Sequence, residues 1–196
     1  AIKELKQSYK TNTTKIPREL SYLVGKHREM YLHDMKLCQE FAKINRRTIQ
    51  SIICYYMCWE VTKETERFQT IHNYIEYDTN IVRKGAISAK TGEKVLIPIN
   101  MRDGCILGIG KGNEDWNYSA PHGAGRTMSR SKAKESILLE EYQKAMDGIF
   151  TTSVNTSTID ESPMAYKTMD EIIGNIKDTV EIVDIIKPIY NFKANE

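Results

Sequence analysis

Hydrophobic positions along this chain follow two rhythms, and the change between them organises it. From about His33 to Thr65 apolar residues recur at Leu37/Cys38, Phe41, Ile44, Ile49, Ile52/Ile53, Tyr56 and Trp59. Steps of three and four, with one of five, predict a long amphipathic helix, with Asn45, Arg46 and Arg47 mostly on its polar side. After it, Phe68 to Tyr77, Asn80 to Arg83, Lys94 to Ile99 and Cys105 to Ile109 are short β-rich runs, and Lys90-Thr91-Gly92-Glu93 predicts a hairpin turn between two of them. Residues 110–127 are rich in Gly, Asn and Ser and read as a loop. A loop of 18 residues inside a compact domain is usually functional or disordered.

A second helix is predicted from about Ser129, with Ile137/Leu138, Tyr142, Ala145/Met146 and Ile149 on one stripe. Thr168-Met169-Asp170-Glu171 matches a capping box and should open a short helix. Thr179 to Ile186 then reads as a strand, with Pro188 making its end an edge or an exit. The fold class is therefore α+β, with a mixed sheet and long amphipathic helices. Residues 1–30 read as a loosely ordered lead-in, and 31–196 as one portion without an internal boundary or repeat.

Composition narrows the function classes. The 196 residues are 40 % apolar, enough for one domain with a sizeable core. A net charge of +2 is no bulk nucleic-acid signature, so a binding surface must be a local patch. No run approaches 18 apolar residues and the first twenty residues lack an apolar core, so neither a membrane span nor a signal peptide is expected. The four cysteines, Cys38, Cys54, Cys58 and Cys105, have no framework spacing and read as reduced, buried thiols of a cytoplasmic protein. Cys54 and Cys58 would share a helix face, which leaves a metal pair open as the minority reading.

The candidate chemistry lies in the loop Asn117-Tyr118-Ser119-Ala120-Pro121-His122-Gly123-Ala124-Gly125-Arg126. Pro121 fixes its own φ and extends the residue before it. Gly123 and Gly125 let a ligand approach the backbone, and successive N–H groups in such a turn form an anion-binding concavity. Arg126 and Arg130 can fork onto phosphate oxygens, Lys132 and Lys134 add charge, and no carboxylate follows until Glu135. The loop suits a polyphosphate with an imidazole in its middle. A neutral imidazole there can act as general base, metal ligand or nucleophile. The plain alternative is a loop histidine bonded to a nearby carbonyl.

Ser119-Ala120-Pro121-His122-Gly123-Ala124-Gly125-Arg126-Thr127-Met128-Ser129-Arg130 closely resembles the signature of RtcB-type RNA-splicing ligases. So do Ile71-His72-Asn73-Tyr74, Arg83-Lys84-Gly85-Ala86, Ile97-Pro98-Ile99-Asn100-Met101-Arg102-Asp103-Gly104 and the ending Ile186-Lys187-Pro188-Ile189-Tyr190-Asn191-Phe192-Lys193-Ala194. Phe41-Ala42-Lys43-Ile44-Asn45-Arg46 fits more weakly. The segments occur in the family's order from about Tyr31 onward.

The resemblance implies an RtcB-like fold and a GTP- and Mn²⁺-dependent RNA ligase. Such an enzyme joins a 3′-phosphate or 2′,3′-cyclic phosphate end to a 5′-hydroxyl end, on tRNA halves or broken RNA ends. It implies that His122 becomes guanylylated and that His72 is a metal ligand. It implies nucleotide contacts at Gly123, Ala124, Gly125, Tyr166 and Lys193. Asn100 and Cys105 stand where the family often places nucleotide-contacting hydroxyl residues, a departure that puts those two contacts in doubt. Arg83, Lys84, Arg126 and Arg130 are the expected RNA-binding residues, while Arg46, Arg47, His27 and His33 read as ordinary surface. The family's further metal ligands, an Asp-x-x-Cys motif and other histidines, have no counterpart here: Cys38 lies one position too far from Asp34. The sequence is then the C-terminal half of a longer enzyme, part of a split enzyme completed in trans, or a shortened relative. The alternative function is a non-catalytic guanine-nucleotide or RNA-binding fragment.

Overall fold

A computed structural model describes residues 22–62 and 65–193. The expected lead-in over residues 1–30 therefore lies mostly outside the described residues. The chain divides into two compact units, Ala1–Glu66 and Arg67–Glu196.

The described part of the first unit is dominated by helix α1, Gly25–Tyr56. It begins and ends about eight residues before the sequence pattern predicted. Its end is set by Cys58, a non-glycine residue at φ 53, where the helical backbone cannot continue. Cys58 thus falls outside the helix and does not share a face with Cys54. All four cysteines are free, but Cys38 and Cys58 are exposed, which corrects the expectation of buried thiols. The apolar stripe is present yet solvent-facing, since Leu32 is the helix's buried residue while Leu37, Phe41, Ile44 and Ile52 are exposed.

The second unit holds the strands β1 (Tyr74–Ile75), β2 (Val82–Arg83), β3 (Ala86–Ser88), β4 (Lys94–Asn100), β5 (Gly104–Gly110), β6 (Ser119–Pro121) and β7 (Val180–Ile186). It also holds the short helices α2 (Arg130–Ser136), α3 (Leu139–Ala145) and α4 (Met169–Ile176). Among the described residues three sheets form: β1-β2, β3-β6 and β4-β5-β7. Each of these strand pairs is antiparallel, so the expected mixed sheet is corrected to small antiparallel ones. The α+β class itself stands.

Burial alternates along β4 and β5, as a sheet with one packed face requires. Val95, Ile97, Ile99 and Ile106 meet Ile172 and Ile176 of α4 in the main core. Thr168 caps α4, its hydroxyl accepting from the Glu171 amide at 3.2 Å. The Lys90–Glu93 turn exists, with the Glu93 amide on the Lys90 carbonyl at 3.0 Å. It joins β3 to β4, which do not pair, so it is a turn between sheets and not a hairpin. The hairpin is β4-β5, where the Asn100 side-chain oxygen accepts from the Arg102 and Asp103 amides at 3.0 and 2.8 Å.

The single helix expected after Ser129 is two. Ile137 and Leu138 are extended and separate α2 from α3. Both helices pack through Ala133, Ile137, Tyr142 and Met146 into a second core with Met101, Ile159 and Ala165. The shared core keeps the apolar spacing in step across the break.

Candidate functional site

Strand register brings the histidine loop to its partner. Ala86 faces Pro121 in the β3-β6 pair, so the next residues outward, Gly85 and His122, meet at the end of that ladder. The His122 amide reaches the Gly85 carbonyl at 3.3 Å, and its ring Nδ1 reaches the same oxygen at 2.6 Å. A carbonyl oxygen only accepts, so Nδ1 carries the proton and Nε2 of the neutral ring keeps its lone pair. Gly85 is held in turn by Asn73, whose side-chain oxygen accepts from the Gly85 amide at 2.8 Å. Gly85 has φ 68, and a Cβ there would lie 3.5 Å from His122 Nδ1. His72, next to Asn73, sits 4.7 Å from His122 between ring centroids. Three segments distant in sequence thus converge on one imidazole.

His122 lines a cleft of about 690 Å³. Along one wall run Gly123, Ala124 and Gly125, with the Ala124 amide bonded to the Pro98 carbonyl of edge strand β4 at 3.0 Å. Asn100 and Cys105 lie on the β4-β5 hairpin and also line the cleft. Asn100 spends its side-chain oxygen on the turn and its amide on Asp103 at 2.8 Å, so it shapes the wall. Burial pushes the Cys105 thiol up, which keeps it protonated.

A charged cluster also borders the cleft. The Glu161 oxygen Oε1 accepts from Arg126 at 2.7 Å and from Arg130 at 2.9 Å. Its Oε2 accepts from the Tyr166 hydroxyl at 2.9 Å and pairs with the Lys193 ammonium at 3.1 Å. Burial would raise the Glu161 carboxyl, but the hydrogen bonds from Tyr166 and Lys193 outweigh it and hold the group below its ordinary value. Burial, then Glu161, pushes the Tyr166 hydroxyl up to about 12, so it stays protonated. Arg126 lies over the Tyr166 ring at 4.8 Å and donates to its hydroxyl at 2.9 Å. Asp160 takes Arg130 at 2.5 Å and is 3% exposed.

The sequence expectations divide accordingly. His122, Gly123, Ala124, Gly125, Asn100, Cys105, Tyr166, Lys193 and Arg126 gather around one cleft. His72 reaches the His122 end of that site through ring contact. Lys84 is exposed beside Gly85. Arg83 is a correction: it is 2 % exposed and cannot reach an RNA backbone. Its guanidinium donates to the Ser119 and Tyr74 hydroxyls at 3.0 and 3.1 Å and pairs with Glu76 at 3.4 Å, tying the first two strands to β6. Arg126 and Arg130 pair with Asp160 and Glu161, which also meet Lys134 and Lys193, and half of the Arg130 side chain remains exposed. The two carboxylates were missed because nothing in their spacing marks them. The signal available was indirect: four cations between Arg126 and Lys134 need counter-charge from elsewhere in the chain.

A metal was expected near His72. Among the described residues no group of three or more His, Cys, Asp or Glu is placed to hold a metal ion. Two imidazoles fall short of the three protein ligands that a catalytic metal ordinarily takes, so these residues do not fit a complete manganese site. Among the described residues no helix is long and apolar enough to cross a membrane.

Comparison with known proteins identifies the family. The family model described as tRNA-splicing ligase RtcB matches residues 1–194, reaching further toward the start of the chain than the motifs do. The RNA-splicing ligase RtcB of Escherichia coli K12 is 30 % identical over 210 residues, which takes in 99 % of this chain and 50 % of that protein. The tRNA-splicing ligase RtcB of Nanoarchaeum equitans is 31 % identical over 156 residues, 69 % of this chain and 32 % of that protein. That of Aeropyrum pernix is 41 % identical over 86 residues, 41 % of this chain and 18 % of that protein. The chain spans about half the length of the Escherichia coli relatives it matches. With the histidine loop, its carbonyl partner and the cleft in place, the match is decisive: the chain belongs to the RtcB family of RNA-splicing ligases.

Proposed function

We propose that the chain carries the nucleotide-accepting half of an RNA ligase that uses GTP and manganese to join RNA 3′-phosphate or 2′,3′-cyclic phosphate ends to 5′-hydroxyl ends. The observation that carries this reading is that His122 lines one cleft with Gly123, Ala124, Gly125, Tyr166 and Lys193, while its Nδ1 lies 2.6 Å from the Gly85 carbonyl, an acceptor that selects the Nδ1–H tautomer. That tautomer leaves Nε2 as a nucleophile. The cleft volume falls within the roughly 300–1,000 Å³ of small-molecule sites.

In this reading Nε2 attacks the α-phosphorus of GTP, a nitrogen–phosphorus bond forms, and the bond to the departing pyrophosphate breaks. The histidine then passes GMP to the RNA 3′-phosphate. The 5′-hydroxyl of the second RNA attacks that activated phosphate and GMP leaves. Tyr166 and Lys193 receive the base end of the nucleotide, while Gly123, Ala124 and Gly125 border its sugar and phosphate. Lys84 and Arg130 contact RNA phosphates, giving binding that weakens with salt and tolerates sequence. His72 would supply one nitrogen to the manganese, and its remaining ligands would come from the rest of the protein in cis or in trans. The RNA is a pair of tRNA halves or another broken RNA.

The test is covalent labelling. The complete protein incubated with labelled GTP and Mn²⁺ acquires acid-labile label, and His122→Ala abolishes it. A folded, complete protein that takes up no label contradicts the reading. One observation favours a second reading, a nucleotide-binding module without transfer: the described residues lack a three-donor metal group. Saturable GTP binding without label would select it.

A further inference from the structure

Glu161 is a mostly hidden carboxylate with 16 % of its side chain exposed, lining the same cleft as His122. Four groups converge on its two oxygens. Arg126 and Arg130 take one oxygen, and Tyr166 and Lys193 take the other. Three of those four groups, Arg126, Tyr166 and Lys193, also line the cleft. They come from three places: Arg126 follows the histidine loop, Tyr166 follows the short helical turn Pro163–Ala165, and Lys193 lies past the exit of β7. Glu161 is their common partner.

We propose that Glu161 is a positioning residue: it holds the Lys193 ammonium, the Tyr166 hydroxyl and the Arg126 guanidinium in one constellation that discriminates the base of the bound nucleotide. The carboxylate's lone pairs are used by these four donors, so it acts through them and not on the base. A lysine ammonium has three N–H bonds. Glu161 takes one and fixes where the others point. A fixed ammonium donor favours a base edge that presents a carbonyl, as guanine does, and disfavours the amino group that adenine presents at the same place. The Tyr166 hydroxyl donates to Glu161 and accepts from Arg126, so both its roles are spent and its ring is pinned. This inference rests on reading the cleft as a guanine-nucleotide site.

The chemistry of substitution follows from the two oxygens. In Glu161→Gln one oxygen becomes an N–H₂ group that cannot accept, so either the arginine side or the Tyr166–Lys193 side loses its acceptor. Glu161→Asp keeps the charge but shortens the reach, so one side again loses contact. A hydrogen bond to a charged group that is lost at a binding site costs about tenfold or more in affinity.

The experiment measures equilibrium binding of GTP and of ATP to the complete protein, in a His122→Ala background so that no transfer intervenes. The GTP-to-ATP preference is compared for Glu161, Glu161→Gln and Glu161→Asp, with Lys193→Met alone and combined with Glu161→Gln. The expected result is a preference for GTP that falls about tenfold or more in both Glu161 variants, with the Gln–Met double variant no worse than the worse single one, as coupled residues require. An unchanged preference in folded Glu161→Gln or Glu161→Asp overturns the inference, as does simple additivity with Lys193→Met. If preference is lost as expected while the protein with His122 intact takes no covalent label, the positioning role stands and the ligase reading fails. If the protein binds neither nucleotide, both fail.

Discussion

At the scale of single residues the account turns on a relay of three groups. Asn73 holds Gly85, Gly85 holds Nδ1 of His122, and the held ring offers Nε2. Asn73 itself has φ 61, a left-handed conformation that asparagine tolerates better than most residues. Asn73→Ala therefore removes the bond to the Gly85 amide and adds backbone strain, and the imidazole loses its fixed aim. We expect histidine labelling by GTP to slow by about ten- to a hundredfold, since small misplacements of a nucleophile cost that much. Single-turnover kinetics check it, and a rate equal to that of the unaltered protein would show that the relay does not set the histidine. The histidine was legible in the sequence because proline and glycines flank it. The burial of Arg83 was not: pairing of Tyr74 with Arg83 across β1-β2, and with it the Glu76 partner, depends on a turn whose closure no local spacing announces.

At the scale of elements, the cleft wall depends on how closely β7 approaches the β4-β5 hairpin. Gly104 has φ 86, and a Cβ added there would stand 2.0 Å from the Ile186 carbonyl oxygen. Backbone in a paired strand cannot move away cheaply. Gly104→Ala is therefore expected to destabilise the fold by about 2 kcal/mol or more, read as a lower urea midpoint with an unchanged slope. A midpoint equal to that of the unaltered protein would mean that β7 is free to shift. Strands β4, β5 and β7 were legible as runs of alternating or continuous apolar residues. Their order was not, because β7 joins the sheet from seventy residues downstream of β5. The division of the post-Ser129 helix was hidden for a different reason. Ile137, Tyr142 and Met146 enter the same core on both sides of the break, and no glycine or proline marks it. The long helix was legible as an element, but its periodicity alone did not announce that the stripe would face solvent.

At the scale of the whole molecule, charge balance and completeness decide behaviour. Glu161 has a folded-state carboxyl held below its ordinary value of 4.5. Its ionised contribution to stability is therefore present in full above about that pH and is lost as pH falls through the depressed folded value. The difference in unfolding free energy between the protein and Glu161→Gln should be constant near neutrality and shrink once the pH drops below 4.5. Urea titrations across that range measure it, and a pH-independent difference would place the Glu161 contribution outside its charge. The family was legible from motifs spread along the chain, and the match over residues 1–194 agrees with them. What the motifs could not convey is how far these residues suffice. The described part brings His122 and the Glu161 cluster to one cleft, yet it brings no third metal donor to His72. That shortfall is consistent with a chain spanning half the length of its Escherichia coli relatives.

The central claim is that His122 Nε2 accepts a guanylyl group, and locating the adduct tests it most directly. The complete protein would be incubated with GTP and Mn²⁺, digested under mildly alkaline conditions that spare a phosphorus–nitrogen bond, and its peptides mapped by mass spectrometry. The account predicts guanylyl on the peptide containing His122, assigned to that residue and absent from His122→Ala. Guanylyl on a lysine, or an unmodified His122 in protein that ligates RNA, would contradict it.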